Sequence, residues 1–213
     1  MNLEETTYWL ADLLPGEFTT SRRRVSQSFP EFTVAELRLG DNGGGGGGED
    51  DAAETVAATL DAARIEPQLV TEDGSDLRVE FITVTSGHGR AAADLVMAAA
   101  TMIAEDPIHF SPQPGLLLPK LGWHVDDTIT ALHGLLVPPF LWEDGVPNVH
   151  EVNFGGRHGG GTYHEYTHPG RMTVYAQLVM LTEEEYRVAV DGGPAAAQQL
   201  LATSQANLND VWR

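Results

Sequence analysis

The stretch between residues 171 and 194 leaves this chain few ways to fold. Residues 171–181 read Arg-Met-Thr-Val-Tyr-Ala-Gln-Leu-Val-Met-Leu, almost unbroken by polar side chains. A run of that length, with β-branched and aromatic residues in it, reads as a buried strand. Thr182-Glu183-Glu184-Glu185 follows with no intervening turn. It fits a capping box, with Thr182 as the N-cap and Glu185 at the third helical position. Tyr186 and Val190 then share one helical face, Gly192-Gly193 stops the helix, and Pro194 suits the first turn of another. Strand, capped helix, glycine stop and second helix predict an α+β fold: a mixed β-sheet with helices packed on one face.

Upstream, the periodicity is clear in some segments and ambiguous in others. Residues 3–14 place Leu3, Trp9, Leu10 and Leu13 at helical spacing before Pro15-Gly16. Residues 32–39 alternate apolar and polar side chains, as a half-buried strand does. Six consecutive glycines at 43–48 sit among acidic residues with no lysine near, so they read as a surface loop and not as a phosphate cradle. Residues 51–64 predict a helix, with Val56 and Leu60 on one face and acids in the first turn. Residues 67–71 and 77–85 read as strands of a hairpin across Glu72-Asp73-Gly74-Ser75. Residues 91–104 are an alanine-rich helix with a stripe through Leu95, Met102 and Ile103. A long loop at 106–122, a strand at 132–137 ended by Pro138-Pro139, and a loop-rich region at 143–170 complete the reading. The expected organisation is an N-terminal α/β segment at 1–66 that holds the polyglycine loop, followed by a main domain at 67–213.

Charge and composition exclude several functions. Twelve Lys and Arg stand against 31 Asp and Glu, a formal charge of −19. Such a surface repels phosphate backbones and anionic lipids and attracts basic proteins, so neither nucleic acid nor membrane is an expected partner. With no cysteine in the chain, disulfides, thiolate nucleophiles, Cys-ligated zinc and iron–sulfur clusters are all excluded. The start, Met1-Asn2-Leu3-Glu4-Glu5, is acidic where a signal peptide is basic, and the longest apolar stretch is too short to span a bilayer, so the expected location is the cytoplasm. Arg22-Arg23-Arg24 is the one basic cluster and is expected to pair with local acids.

Candidate chemistry centres on histidine. His164-Glu165-Tyr166-Thr167-His168 is a literal H-E-x-x-H. A zinc protease needs that motif on a helix, and here Gly159-Gly160-Gly161 before it and Pro169-Gly170 after it leave barely one turn. A looser zinc site could draw on His150, His158, His164 and His168, crowded into one segment, with Asp126 or Glu151. That is the alternative reading, a metal-dependent hydrolase using the His-rich 150–168 loop. The competing view is a polar hairpin whose histidines are solvated. His124-Val125-Asp126-Asp127 and Ser86-Gly87-His88-Gly89 both read as turns, the latter lacking the G-x-S-x-G pattern of a nucleophile elbow. No catalytic residues and no cofactor are expected.

Several ordered blocks resemble the suppressor of fused domain family. They are Thr85-Ser86-Gly87 at a strand end, Ala93-Asp94-Leu95 in the next helix, Gly122-Trp123-His124-Val125 closing a long loop, Leu135-Leu136-Val137-Pro138, and the run from Met172 to Tyr186 leading to Gly192-Gly193 and Ala197-Gln198-Gln199-Leu200-Leu201. The strand-to-helix block with T-E-E-E is the most specific of them. The resemblance spans about residues 77–202 and does not reach 1–66. It implies a suppressor of fused-like α/β domain that is not an enzyme and binds other proteins. The animal member restrains a transcription factor of the Hedgehog pathway, and bacterial members are proposed immunity proteins that neutralise toxins. The acidic surface would suit a basic toxin domain. For an interface, Trp123, Trp142, Glu143 and Asp144 are the candidate contacts, because tryptophan anchors dominate interfaces. The opposing reading places these tryptophans in the core.

Overall fold

The computed structural model describes residues 1–40, 53–87, 91–153 and 168–213. Its elements in chain order are α1 (Leu3–Leu13), β1 (Thr19–Arg23), β2 (Phe32–Leu39), β3 (Glu54–Thr59), β4 (Asp76–Ser86), α2 (Ala91–Glu105), β5 (Leu117–Leu118), β6 (His133–Val137), β7 (Asn148–Asn153), β8 (His168–Leu181), α3 (Glu183–Gly192) and α4 (Pro194–Ser204). Among the described residues eight strands form one mixed sheet in the order β1-β2-β3-β4-β8-β6-β5, with β7 also on β8. The fold is α+β, as expected.

The apolar run of the C-terminal third is the strand on which the others assemble. β8 runs parallel to β4, with Val79 opposite Val174 and Phe81 opposite Ala176. Along its other edge it carries two antiparallel partners in succession, β7 against its first half and β6 against its second. Because side chains alternate between faces, Ala176, Leu178 and Met180 point one way, and Tyr175, Val179 and Leu181 the other. Both sets are buried.

Helices therefore cover both faces, which corrects the expectation of one. On the first face Phe81, Ala176, Leu178 and Met180 pack with Phe32 and Val34 against α2. α2 is buried almost all round, from Ala91–Ala93 through Leu95, Val96 and Ile103, so loops and Val211 near the end of the chain wrap its outer side. On the second face Leu10 of α1 joins Leu37, Val56, Ile82 and Tyr175. Further along that face Ala189 of α3 and Ala197 and Leu201 of α4 cover Leu135, Val137, Val179 and Leu181. A strand with buried apolar side chains on both faces needs a covering layer on each side.

The predicted helix at 51–64 is also overturned. Residues 54–59 form β3, paired on both edges by β2 and β4, and a short 3-10 helix follows at Ala62–Arg64. Pairing decides it: Thr55 through Leu60 are all buried, and residues 54–59 bond β2 on one edge and β4 on the other. The alanines there favour a helix only locally, and tertiary pairing outweighs that preference. The expected strand at 67–71 shrinks to a single bridge, Val70 to Asp76. The long loop contains β5 and a 3-10 turn at Leu121–His124, and the loop-rich 143–170 region contains β7. The polyglycine loop lies outside the described residues.

Local signals are realised where the chain is self-sufficient. Thr182 Oγ1 accepts from the Glu185 amide, and Glu185 Oε2 accepts from the Thr182 amide at 2.7 Å. Asn2 and Glu5 make the same box at the start of α1. Of the arginine triplet, Arg23 bridges Glu36 and Asp94, each at 2.6 Å, and Arg24 lies 3.6 Å from Glu31.

Two features are directly testable. A Cβ on Gly134 would stand 2.9 Å from Leu178 Cδ1 and 3.2 Å from Leu118 Cβ, in a wholly buried setting. Gly134→Ala should lower the unfolding free energy in urea by about 1–3 kcal/mol through overpacking, and an unchanged midpoint would contradict this packing. Glu80 is fully buried, and desolvation raises its carboxyl from the ordinary 4.5 to about 7, against the opposing hydrogen bonds from Thr59 Oγ1 and the Ala62 and Ala63 amides. The folded state then binds this proton more tightly than the unfolded chain. Its stabilising effect is complete below pH 4.5 and is lost as pH rises through about 7, a change on the order of 3 kcal/mol. Stability measured from pH 4 to 8 should fall less in Glu80→Gln than in the unaltered chain; parallel curves would refute the assignment.

Candidate functional site

An apolar groove lies on the second face of the sheet, beside α4. Its floor is made by Leu135 and Val137 of β6, Val179 of β8 and Leu201 of α4. One wall is the exposed side of α4, with Gln198, Ala202 and Gln205 at helical spacing. The other wall is Pro138-Pro139-Phe140. The space enclosed is about 670 Å³.

Each wall follows from the local sequence. Pro138 and Pro139 cannot donate amide hydrogens, so β6 ends there and the chain turns away from the sheet. The next amide, Phe140 N, donates to the buried Gln177 side chain at 3.1 Å, which fixes the bend and leaves the Phe140 ring 58% exposed. Pro194 starts α4 after Gly193, whose φ of +80° a glycine adopts without strain. α4 buries Ala197 and Leu201 and leaves the flank at 198, 202 and 205 facing out.

The groove is an uncharged window in a strongly acidic chain. From Thr128 to Trp142, and again from Gly193 to Asn209, there is no Asp, Glu, Lys or Arg. Acids bracket both stretches: Asp126-Asp127 and Glu143-Asp144 around the first, Asp191 and Asp210 around the second. An exposed apolar depression on a charged protein is a common form of a protein-binding site.

The anticipated contact residues divide. Trp142 turns inward: its Nε1 donates to the Leu13 carbonyl at 3.1 Å, and its ring lies 6.0 Å from that of Tyr175 in the α1 core. Glu143 and Asp144 follow it on an exposed turn. Trp123 is 58% exposed, with the Lys120 ammonium 4.4 Å from its ring centre. Phe140 was not anticipated, although an aromatic residue directly after a proline pair is the signal that could have found it.

The histidines do not assemble into a site among the described residues. His150 Nε2 lies 2.8 Å from Ser75 Oγ, His168 pairs through its backbone with Asn153, and His158 and His164 lie outside the described residues. Among those described, no group of three His, Asp or Glu side chains converges. Asp126 Oδ1 is taken up by the amide and hydroxyl of Thr128, and His88 lies outside the described residues. A polar cavity of about 200 Å³ next to α1 is lined by Glu80, Arg64, Arg171 and Thr173. Its arginines are engaged, Arg64 with Asp61 and Arg171 with Asp76. No helix among the described residues is long and apolar enough to cross a membrane.

The two tryptophans are separable by stability. Trp142→Ala should cost about 2–4 kcal/mol, since it empties part of the α1 core, whereas Trp123→Ala should stay within about 0.5 kcal/mol. Equal losses in denaturant melts would show that this placement of the rings is wrong.

Comparison with known proteins gives a likeness of shape. No family model matches the sequence, and no curated protein matches it. A solved structure from Neisseria gonorrhoeae FA 1090, assigned as a homolog of suppressor of fused, superposes with a TM-score of 0.56 at 12% sequence identity. The superposition covers 99% of this chain and 92% of that one, so it takes in residues 1–66, which the sequence resemblance did not reach. At this identity the likeness shows that the chain has a suppressor of fused-like fold.

Proposed function

We propose that this chain is a non-enzymatic protein-binding domain whose partner is basic, and that it acts in the cytoplasm as an immunity protein, neutralising a toxin. The observation that carries the binding reading is the uncharged apolar groove between α4 and Pro138-Pro139-Phe140, set in a chain of net charge −19. Apolar surface supplies affinity once water leaves it, and long-range charge supplies orientation and rate of encounter. The sequence resemblance supports the inhibitory role, and the charge supports a cationic partner over a neutral one. His158 and His164 of the hydrolase alternative lie outside the described residues.

Affinity capture of the tagged chain from its own cells tests this reading. A basic protein should be recovered in near-equal amount, and its association rate should fall on the order of tenfold between dilute buffer and molar salt. If that protein is a toxin, co-expression of this chain should restore growth. Recovery of an acidic partner, or of none in stoichiometric amount, would overturn the proposal.

A further inference from the structure

We infer that the groove beside α4 receives one helix of the partner, apolar on the side laid into the groove and carrying Lys or Arg on its flanks. The inference rests on the protein-binding reading and names the occupant of that site.

Three observations select the occupant. First, strand addition is blocked at this edge. The outer side of β6 already pairs with β5, Leu117 opposite Leu135 and Leu118 opposite Gly134. The hydrogen bonds continue past the strand, from the Leu136 amide to Leu116 and from the Gly115 amide to Leu136. An extended peptide therefore cannot add to β6, the strand that floors the groove, and the terminal strand β5 spans only two residues.

Second, the open wall is itself a helix. Gln198 and Ala202 lie one turn apart on α4, and Gln205, its left-handed C-cap, and Ala206 just beyond extend the lining past the helix end. The small Ala202 side chain on α4, with Ala206 just past the helix end, lets a second helix approach α4 closely, as packed helices do. The two glutamines can hydrogen-bond along its margin without adding charge. Phe140, held in place by Gln177, closes the far side as an aromatic rim.

Third, the charge pattern fits apolar anchors between cationic flanks. The lining stretches are uncharged, while Glu143-Asp144, Asp191 and Asp210 bracket them. A partner helix with Lys or Arg beside its apolar face would be drawn in by the net charge of −19 that surrounds this uncharged lining. A second copy of this chain would instead bring two surfaces of charge −19 together.

The test uses the full chain and a fluorescent synthetic peptide of leucine and lysine, with leucine at i, i+4 and i+7. A scrambled peptide of the same composition and charge has no apolar face. The decisive variant is Ala202→Glu, which fills the groove and makes the surface more acidic. Association by charge alone should tighten in it, and a seated helix should be expelled. We expect the ordered peptide to bind at least about tenfold more tightly than the scrambled one, and Ala202→Glu to abolish that advantage. Phe140→Ala, at an exposed side chain, should weaken the ordered peptide alone, and thermal melts of both variants report whether the fold is kept. Equal or tighter binding of the ordered peptide by Ala202→Glu would overturn the inference and leave the basic-partner reading standing. Failure of both peptides to bind in dilute buffer would overturn both. A dimer of the unaltered chain in sedimentation equilibrium, lost in Ala202→Glu, would assign the groove to a second copy and also overturn it.

Discussion

Backbone pairing along β8 is the constraint on which the rest of the architecture depends. This strand bonds β4 on one edge and β7 then β6 on the other, so it joins the N-terminal meander to the C-terminal elements. Its side chains are apolar in both directions, which obliges α2 to cover one face and α1, α3 and α4 to share the other. Its end becomes the N-cap of α3 at Thr182, so the direction in which β8 leaves the sheet sets where α3 starts. α4 follows after the Gly192-Gly193 break and lies over β6 and β8. The groove is the part of that second face that α4 leaves uncovered.

Burial and charge are sorted within this frame. Acids and arginines that lie near the sheet are held in local pairs, Arg23 between Glu36 and Asp94, and Arg78 beside Asp76. The fully buried Glu80 is satisfied by the Thr59 hydroxyl and the first amides of the 3-10 helix. Near it the Tyr175 hydroxyl is buried with no hydrogen-bond partner among the described residues, and burial with the neighbouring carboxylate pushes its phenol well above the usual value. A chain this acidic keeps most of its charge in water, where mutual repulsion opposes compaction only weakly through screening. That leaves a broad negative field around one uncharged apolar depression.

Much of this was legible in particular residues. Thr182 and Glu185 announce their helix because the interaction is local, spanning three residues and needing no tertiary partner. The run before them announces a buried strand because most of its side chains, Leu178 to Leu181 above all, are apolar. Residues 54–59 misled because alanine and acidic side chains favour a helix locally, while the pairing that makes them a strand comes from β2 and β4. The fate of the tryptophans was illegible for a similar reason. Trp142 and Trp123 are the same side chain beside similar loops, and only the position of α1 gives one a carbonyl to bond and a ring to pack on.

By itself, then, the sequence determined the α+β class, the strand at 171–181, the capped helix after it and the excess of negative charge, because each depends on side-chain chemistry or on contacts a few residues apart. The tertiary structure alone decided that helices cover both faces, that residues 54–59 extend into the sheet, and that Phe140 and not Trp142 faces the open groove. Those outcomes depend on which distant segments compete for the same apolar surface, and no local pattern encodes the winner.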